Sequence, residues 1–194
     1  AGLIPPLNAL YALWTVWYAP WVLSVFWAGK PAARPKFYMH FFYQIPTMAG
    51  VILLFYPWYV PIISYKLWTA SNELGWILFG LTVLAFAFCW WARITMGRLW
   101  SGYISRTENH RRGDTGPFAI VRHPIYTGVI AAAFLLAIEL GTAQALAGAT
   151  FFLIAFWLKA RVEESFLRKE LGTEPYDAYR RRVPMLVPFG PKST

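Results

Sequence analysis

The sequence predicts an all-α fold, an integral membrane bundle of five transmembrane helices with a cytoplasmic C-terminal helical tail. Three observations predict it. The 194 residues are 58% hydrophobic and only 14% charged, whereas a soluble domain carries about 25% charged residues. Five apolar stretches, roughly 4–28, 40–64, 73–96, 125–140 and 142–160, compare with the roughly 17–25 residues of a spanning helix. If all five cross, 17 of the 18 Lys and Arg residues fall on one side. The chain reads as one domain, residues 1–194, with three spans in 1–92 and a loop, a helical hairpin and a tail in 93–194.

The first stretch, within residues 3–27, is too long and aromatic for a cleaved signal peptide, so it is read as a span. Pro20 in that stretch, and Pro46, Pro57 and Pro61 in the second, kink their helices or end them early. The third stretch ends near Arg93. The fourth and fifth are joined only by Gly141 and Thr142, which requires a tight helical hairpin. Pro124 suits the first position of the fourth helix, where its missing N–H would be unpaired anyway. The fifth helix continues into "LKARVEESFLRKEL", where Phe166, Leu167 and Leu171 keep an apolar stripe. Gly172 ends it. A short helix around "PYDAYRRR" follows, then an extended "VPMLVPF" whose Val183, Leu186, Val187 and Phe189 lie back on protein or bilayer.

Orientation follows from charge. Loop 1 (Lys30, Arg34, Lys36), loop 3 (Arg93, Arg98, Arg106, Arg111, Arg112, Arg122) and the tail from Lys159 share one side, and Lys66 is alone on the other. Cytoplasmic loops carry the Lys/Arg excess. The N-terminus is therefore outside and the C-terminus cytoplasmic, as in a bacterial cytoplasmic membrane. The net charge of +9 is spread along juxtamembrane segments, so the partner it implies is anionic lipid rather than nucleic acid.

Several chemistries are excluded by what is missing. A lone cysteine, Cys89, gives no disulfide framework. His40, His110 and His123 lack metal-ligand spacing, and no dinucleotide fingerprint, Walker loop or nucleophile elbow is present. The residues with chemical potential cluster instead around the two polar segments. Glu163 and Glu164 follow the fifth span beside Lys159 and Arg161. Their bland reading is a solvated helix with Lys159–Glu163 pairing, but two carboxylates at the exit of a membrane helix point to function. His123 reads equally as a helix cap. Arg180, Arg181 and Arg182 read as a headgroup patch, and Tyr176 and Tyr179 as interfacial anchors. Glu139, at the hairpin tip, is the one intramembrane charge placed to line a path.

The order of these pieces is more telling than any one of them. "MGRLWS" (Gly97, Trp100, Ser101), His110, "TGPFAIVRHPIYTG" and "EESFLRKELGTEPYDAYRRRVPMLVPF" together resemble the isoprenylcysteine carboxyl methyltransferase family and its bacterial relatives. The resemblance covers residues 93–190. The R-H-P-x-Y-x-G element is shared with membrane sterol reductases and phospholipid methyltransferases, and its pairing with the glutamate-to-V-P-x-x-V-P-F run is far more specific. The chain departs from the family pattern at Arg111, Arg112 and Gly113 after His110, and at Phe118 in place of Tyr. It departs again at Lys159, where relatives often carry Arg, and in one extra residue between Gly172 and Tyr176.

The resemblance implies S-adenosylmethionine as cofactor, bound between the hairpin and the tail, which closes the site. The cofactor side is assigned to His110, Gly116, Phe118, Arg122, His123, Tyr126, Glu163, Tyr176 and Tyr179. A helix N-terminus at Pro124, with His123 and Arg122, suits the cofactor's carboxylate. Tyr126 and Phe118 offer ring surface for sulfonium and adenine, and a glutamate can accept ribose hydroxyls. The catalytic side is assigned to Arg161, Glu164 and Lys159, a cation positioning a carboxylate nucleophile. An amine acceptor, as in phospholipid N-methylation, would instead need Glu164 as base. The acceptor implied is lipidic or prenylated, reaching the site from the bilayer. Two competing classes are a membrane NADPH-dependent sterol-type reductase and a non-catalytic membrane protein.

Overall fold

The computed structural model describes residues 4–23, 37–56, 65–96 and 115–192. His110, the "GRLWS" segment, Pro57, Pro61 and the basic residues of loops 1 and 3, save Arg93 and Arg122, lie outside the described residues. Seven helices are present among those described: α1 Pro6–Leu23, α2 Phe37–Phe55, α3 Asn72–Met96, α4 Pro117–Ile120, α5 Pro124–Leu140, α6 Ala143–Leu171 and α7 Thr173–Arg182. The five long ones overlap the five apolar stretches, and α6 runs eleven residues past the fifth. Asn72–Met96 and Ala143–Lys169 are long and apolar enough to cross a membrane, and Phe42–Phe55 and Pro124–Leu140 are shorter apolar helices. Pro20 and Pro46 sit inside α1 and α2.

Helix α5 occupies the centre, packed on α3 and α6, while α2 lies along α6 and α1 along α3. The α3–α5 contact is close because Gly128 has no side chain. A Cβ there would stand 2.3 Å from Cys89 Sγ and 2.7 Å from the Ala85 carbonyl oxygen. The core is aromatic at the α1–α3 seam. Trp14 meets Phe55 and Phe86 edge-on at 5.3 and 5.0 Å, and Trp17 stacks on Phe86 at 4.5 Å. Such pairs contribute about 0.5–1.5 kcal/mol beyond area burial. Leu84, Ile77 and Ile94 on α3 and Trp157 on α6 point outward, 46–66% exposed, a surface suited to lipid rather than water.

The hairpin forms as its sequence predicts. Gly141 ends α5 in the left-handed region (φ 63°), its N–H donating to the Ala137 carbonyl, and Thr142 caps α6 by accepting from the Ala145 N–H. A side chain at Gly141 would strike the Trp68 carbonyl at 2.2 Å, because residues 65–68 dock here. Leu67 N–H donates to Gly141 O (2.7 Å) and the Trp68 indole to Ile138 O (2.8 Å). Buried Gln144 donates to the Leu53 and Tyr56 carbonyls, both at 3.0 Å, satisfying acceptors at the end of α2.

At the opposite end α6 continues past residue 160 to Gly172 (φ 90°), and α7 turns back across it. The segment after α7 is not the extended run its prolines predict: bends at 183 and 185–187 and a turn at 188–189 fold it against the start of α5, whose backbone offers it hydrogen bonds. Arg122 N–H donates to Pro184 O (2.9 Å), His123 N–H to Met185 O (3.1 Å), and Thr127 Oγ1 to Leu186 O (2.6 Å). Helix α4 is a single turn that the sequence reading did not separate from the segment leading to Pro124. Gly116 (φ 58°) and Pro117 at its first turn set it.

Candidate functional site

Two glutamates that are neighbours in sequence occupy different environments, because successive helical positions point about 100° apart. Glu164 turns inward and is 5% exposed. Its Oε1 accepts from Arg122 Nε at 2.7 Å and lies 3.2 Å from His123 Nε2, and its Oε2 faces Arg180 Nε at 3.4 Å. Burial pushes this carboxyl up, but hydrogen bonds from His123 and Arg122 and their charges outweigh it and hold the group at about 2. It is ionised at any ordinary pH.

Arg122 is the tie between hairpin and tail. Besides Glu164, its Nη1 donates to the carbonyls of Arg180 (3.1 Å) and Val183. The planar fork of a guanidinium is what allows three acceptors on two elements to be met at once. Helix mouth and tail are thus joined through Arg122, whose guanidinium points into the protein.

Glu163 faces the other way and is 38% exposed. Tyr126 donates its hydroxyl to Glu163 Oε1 at 2.6 Å, His123 Nδ1 lies 3.8 Å from Oε2, and Lys159 Nζ lies 4.0 Å from Oε1. The His123 and Tyr126 rings stack at 5.3 Å, only 4° from parallel. Lys159 Nζ sits 5.0 Å above the Tyr126 ring and 5.8 Å above the Tyr43 ring, and Phe156 packs on Tyr126 at 5.0 Å. A carboxylate, an ammonium, an imidazole and three aromatic rings therefore converge from α2, α5 and α6. His123, standing between the two glutamates, joins this cluster to the buried one.

The remaining predicted residues divide. Tyr176 is 4% exposed, its hydroxyl held well above the ordinary tyrosine range by burial and then by the Glu164 charge. Tyr179 donates to the Phe118 carbonyl at 2.8 Å, which ties α7 to α4. Gly116 is exposed and lies against Trp91. Arg161 projects outward over the Trp157 ring at 5.7 Å, away from the glutamates. Sequence reasoning missed Tyr43, whose helix carries no motif, and Arg180, which was read as a surface patch. Arg180 does have a signal, standing one turn after Tyr176 and so on its buried face.

Among the described residues no group of three or more His, Cys, Asp or Glu side chains is arranged to hold a metal ion. Glu164 Oε2 and Arg180 Nε are buried and lack hydrogen-bond partners although they face each other, leaving a charged acceptor and a charged donor unsatisfied. Glu163 adds a part-exposed carboxylate beside aromatic surface. No curated protein and no solved structure gives a match to the chain. The isoprenylcysteine carboxyl methyltransferase (ICMT) family model does, over residues 76–169. That span runs from α3 through the R-H-P element and the glutamate pair and stops before α7 and the V-P-x-x-V-P-F tail; over those residues the chain matches the ICMT family.

Proposed function

We propose that the protein is an S-adenosylmethionine-dependent methyltransferase that esterifies the carboxylate of a membrane-embedded lipidic acceptor, as the name of the matching family suggests. The observation that carries this reading is the division of labour between the glutamates. Glu164, buried with its Oε1 already engaged by Arg122 and His123 and its Oε2 facing Arg180, is badly placed to take a proton from an ammonium. It serves as a fixed anion that sets the positions of Arg122, His123 and the tail. A carboxylate acceptor needs no base, because the ionised group is already the nucleophile. When bound, S-adenosylmethionine supplies a methyl group on a sulfonium sulfur.

The protein's own residues then orient and exclude water. Glu163, Tyr126 and His123 present an acceptor-rich, aromatic wall suited to a cationic, hydroxyl-bearing ligand. Glu164 Oε2 and Arg180 Nε are available to polar groups of such a ligand, with Tyr176 beside them. Lys159, between the Tyr43 and Tyr126 rings, is the cation best placed to orient an incoming carboxylate. Arg161, turned to Trp157, is the weaker candidate. Gly116, Phe118 and Tyr179 support the wall through α4.

The same reading takes α1, α2, α3, α5 and α6 as five spans, with N-terminus outside and the α6–α7 end cytoplasmic. It rests on the distribution of basic residues and on the apolar exterior of the helices. Calorimetry on the detergent-solubilised protein tests the class. S-adenosylhomocysteine binds and NADPH does not; binding of NADPH alone would make the protein a reductase, and binding of neither would remove the enzymatic reading.

A further inference from the structure

The tail's last turn has two faces. Val183 and Leu186 are buried against the protein, at 6% and 8% exposure, whereas Val187 is 62% and Phe189 98% exposed. An aromatic side chain with almost no protein contact has to be covered by something else or remain in water at a cost. Phe189 is also the one non-glycine residue with positive φ among those described (60°), a conformation that bulky residues rarely adopt. The turn that holds it is closed by Gly190 N–H donating to Val187 O at 2.9 Å.

The height of this turn identifies the occupant. Leu186 O accepts from Thr127, one turn inside α5. Residues 187–189 therefore lie level with the first turn of an apolar helix, where the spanning segment begins. Exposed Arg181, Arg182 and Lys192 flank them. Apolar and aromatic tips combined with cations at that depth are the chemistry of the headgroup–acyl boundary of an anionic leaflet.

We infer that Val187, Pro188 and Phe189 form an interfacial anchor that dips into the bilayer surface while Arg181, Arg182 and Lys192 meet anionic headgroups. The inference rests on the reading of α5 and α6 as spans. Its consequence is that the bilayer itself holds down the segment that hydrogen-bonds residues 122, 123 and 127. The arrangement of the site is thereby coupled to insertion in a membrane.

The test places an environment-sensitive fluorophore on single cysteines in the full-length protein, reconstituted in vesicles of phosphatidylglycerol and phosphatidylcholine. Phe189→Cys reports the anchor, Glu174→Cys the exposed start of α7, and Phe151→Cys the outward face of α6; buried Cys89 stays unlabelled. At position 189, aqueous iodide should quench several-fold less than at 174, and a shallow lipid-borne nitroxide should quench several-fold more. Raising the phosphatidylglycerol fraction should strengthen both differences. Position 151 should be quenched by a deep nitroxide, and failure there would overturn the spans on which the inference rests. Deep quenching at 151 with iodide quenching at 189 equal to that at 174 would overturn the anchor alone.

Discussion

At the scale of single residues, the site depends on one arginine meeting three acceptors. Replacing Arg122 with Ala would leave Glu164 ionised, 5% exposed and short of its main partner. Breaking such a buried pair costs about 3–5 kcal/mol, so thermal unfolding in detergent should show a large drop in Tm. Arg122→Lys should recover little, because a single ammonium cannot span Glu164, Arg180 O and Val183 O. The depressed Glu164 carboxyl makes a second prediction, with a definite sign. A group held at about 2, against an ordinary 4.5, contributes stability that is complete above about pH 4.5 and is lost as pH falls toward 2. Acid unfolding followed by circular dichroism should show that loss in the parent protein and a shallower one in Glu164→Gln. The stacked rings facing Glu163 behave differently. His123→Ala and Tyr126→Ala should weaken S-adenosylhomocysteine binding by about 1.5–3 kcal/mol, one to two decades in Kd by calorimetry. Unchanged affinity in both would show that the stacked rings only start a helix.

At the scale of elements, most of the fold was legible because its punctuation is strong. Pro124, Gly141, Thr142 and Gly172 fix three helix boundaries by missing donors, positive φ or side-chain capping, and each boundary falls where those residues stand. The bends and turn after α7 were not legible, since the bias of its two prolines toward extended backbone is outweighed by docking on the start of α5. Helix α4 did not emerge, since a single turn has no hydrophobic period to read. Nor could periodicity say which glutamate points inward. That depends on where α7 and the Arg122 segment pack, and both are distant in sequence from residue 164. Tyr43 was invisible for the same reason, its partners lying more than 80 residues further along the chain. Packing also sets a test. Gly128→Ala would force its methyl against Cys89 Sγ and the Ala85 carbonyl, and such overpacking costs about 1–3 kcal/mol. Cys89→Ala in the same chain should restore only part of the lost Tm, since the backbone oxygen at 2.7 Å remains.

At the scale of the whole molecule, the two ends of the bundle differ in kind. One end is a tight turn at Gly141 clasped by residues 65–68; the other gathers most of the described ionisable residues. In the proposed orientation the second end is cytoplasmic, so a thiol placed at exposed Lys192 should be shielded from impermeant reagent on intact cells while one at exposed Thr69 is labelled. Labelling at 192 would invert the topology. The proposed function draws on what this end collects: a buried anchor in Glu164, a part-exposed carboxylate in Glu163, and Lys159 between aromatic rings. The measurement that tests this most directly is transfer of labelled methyl from S-adenosylmethionine into a total lipid extract by the purified protein, followed by mild base. Release of the label as methanol is predicted, the signature of an ester formed on a carboxylate. Label that survives base on a headgroup amine would contradict the account.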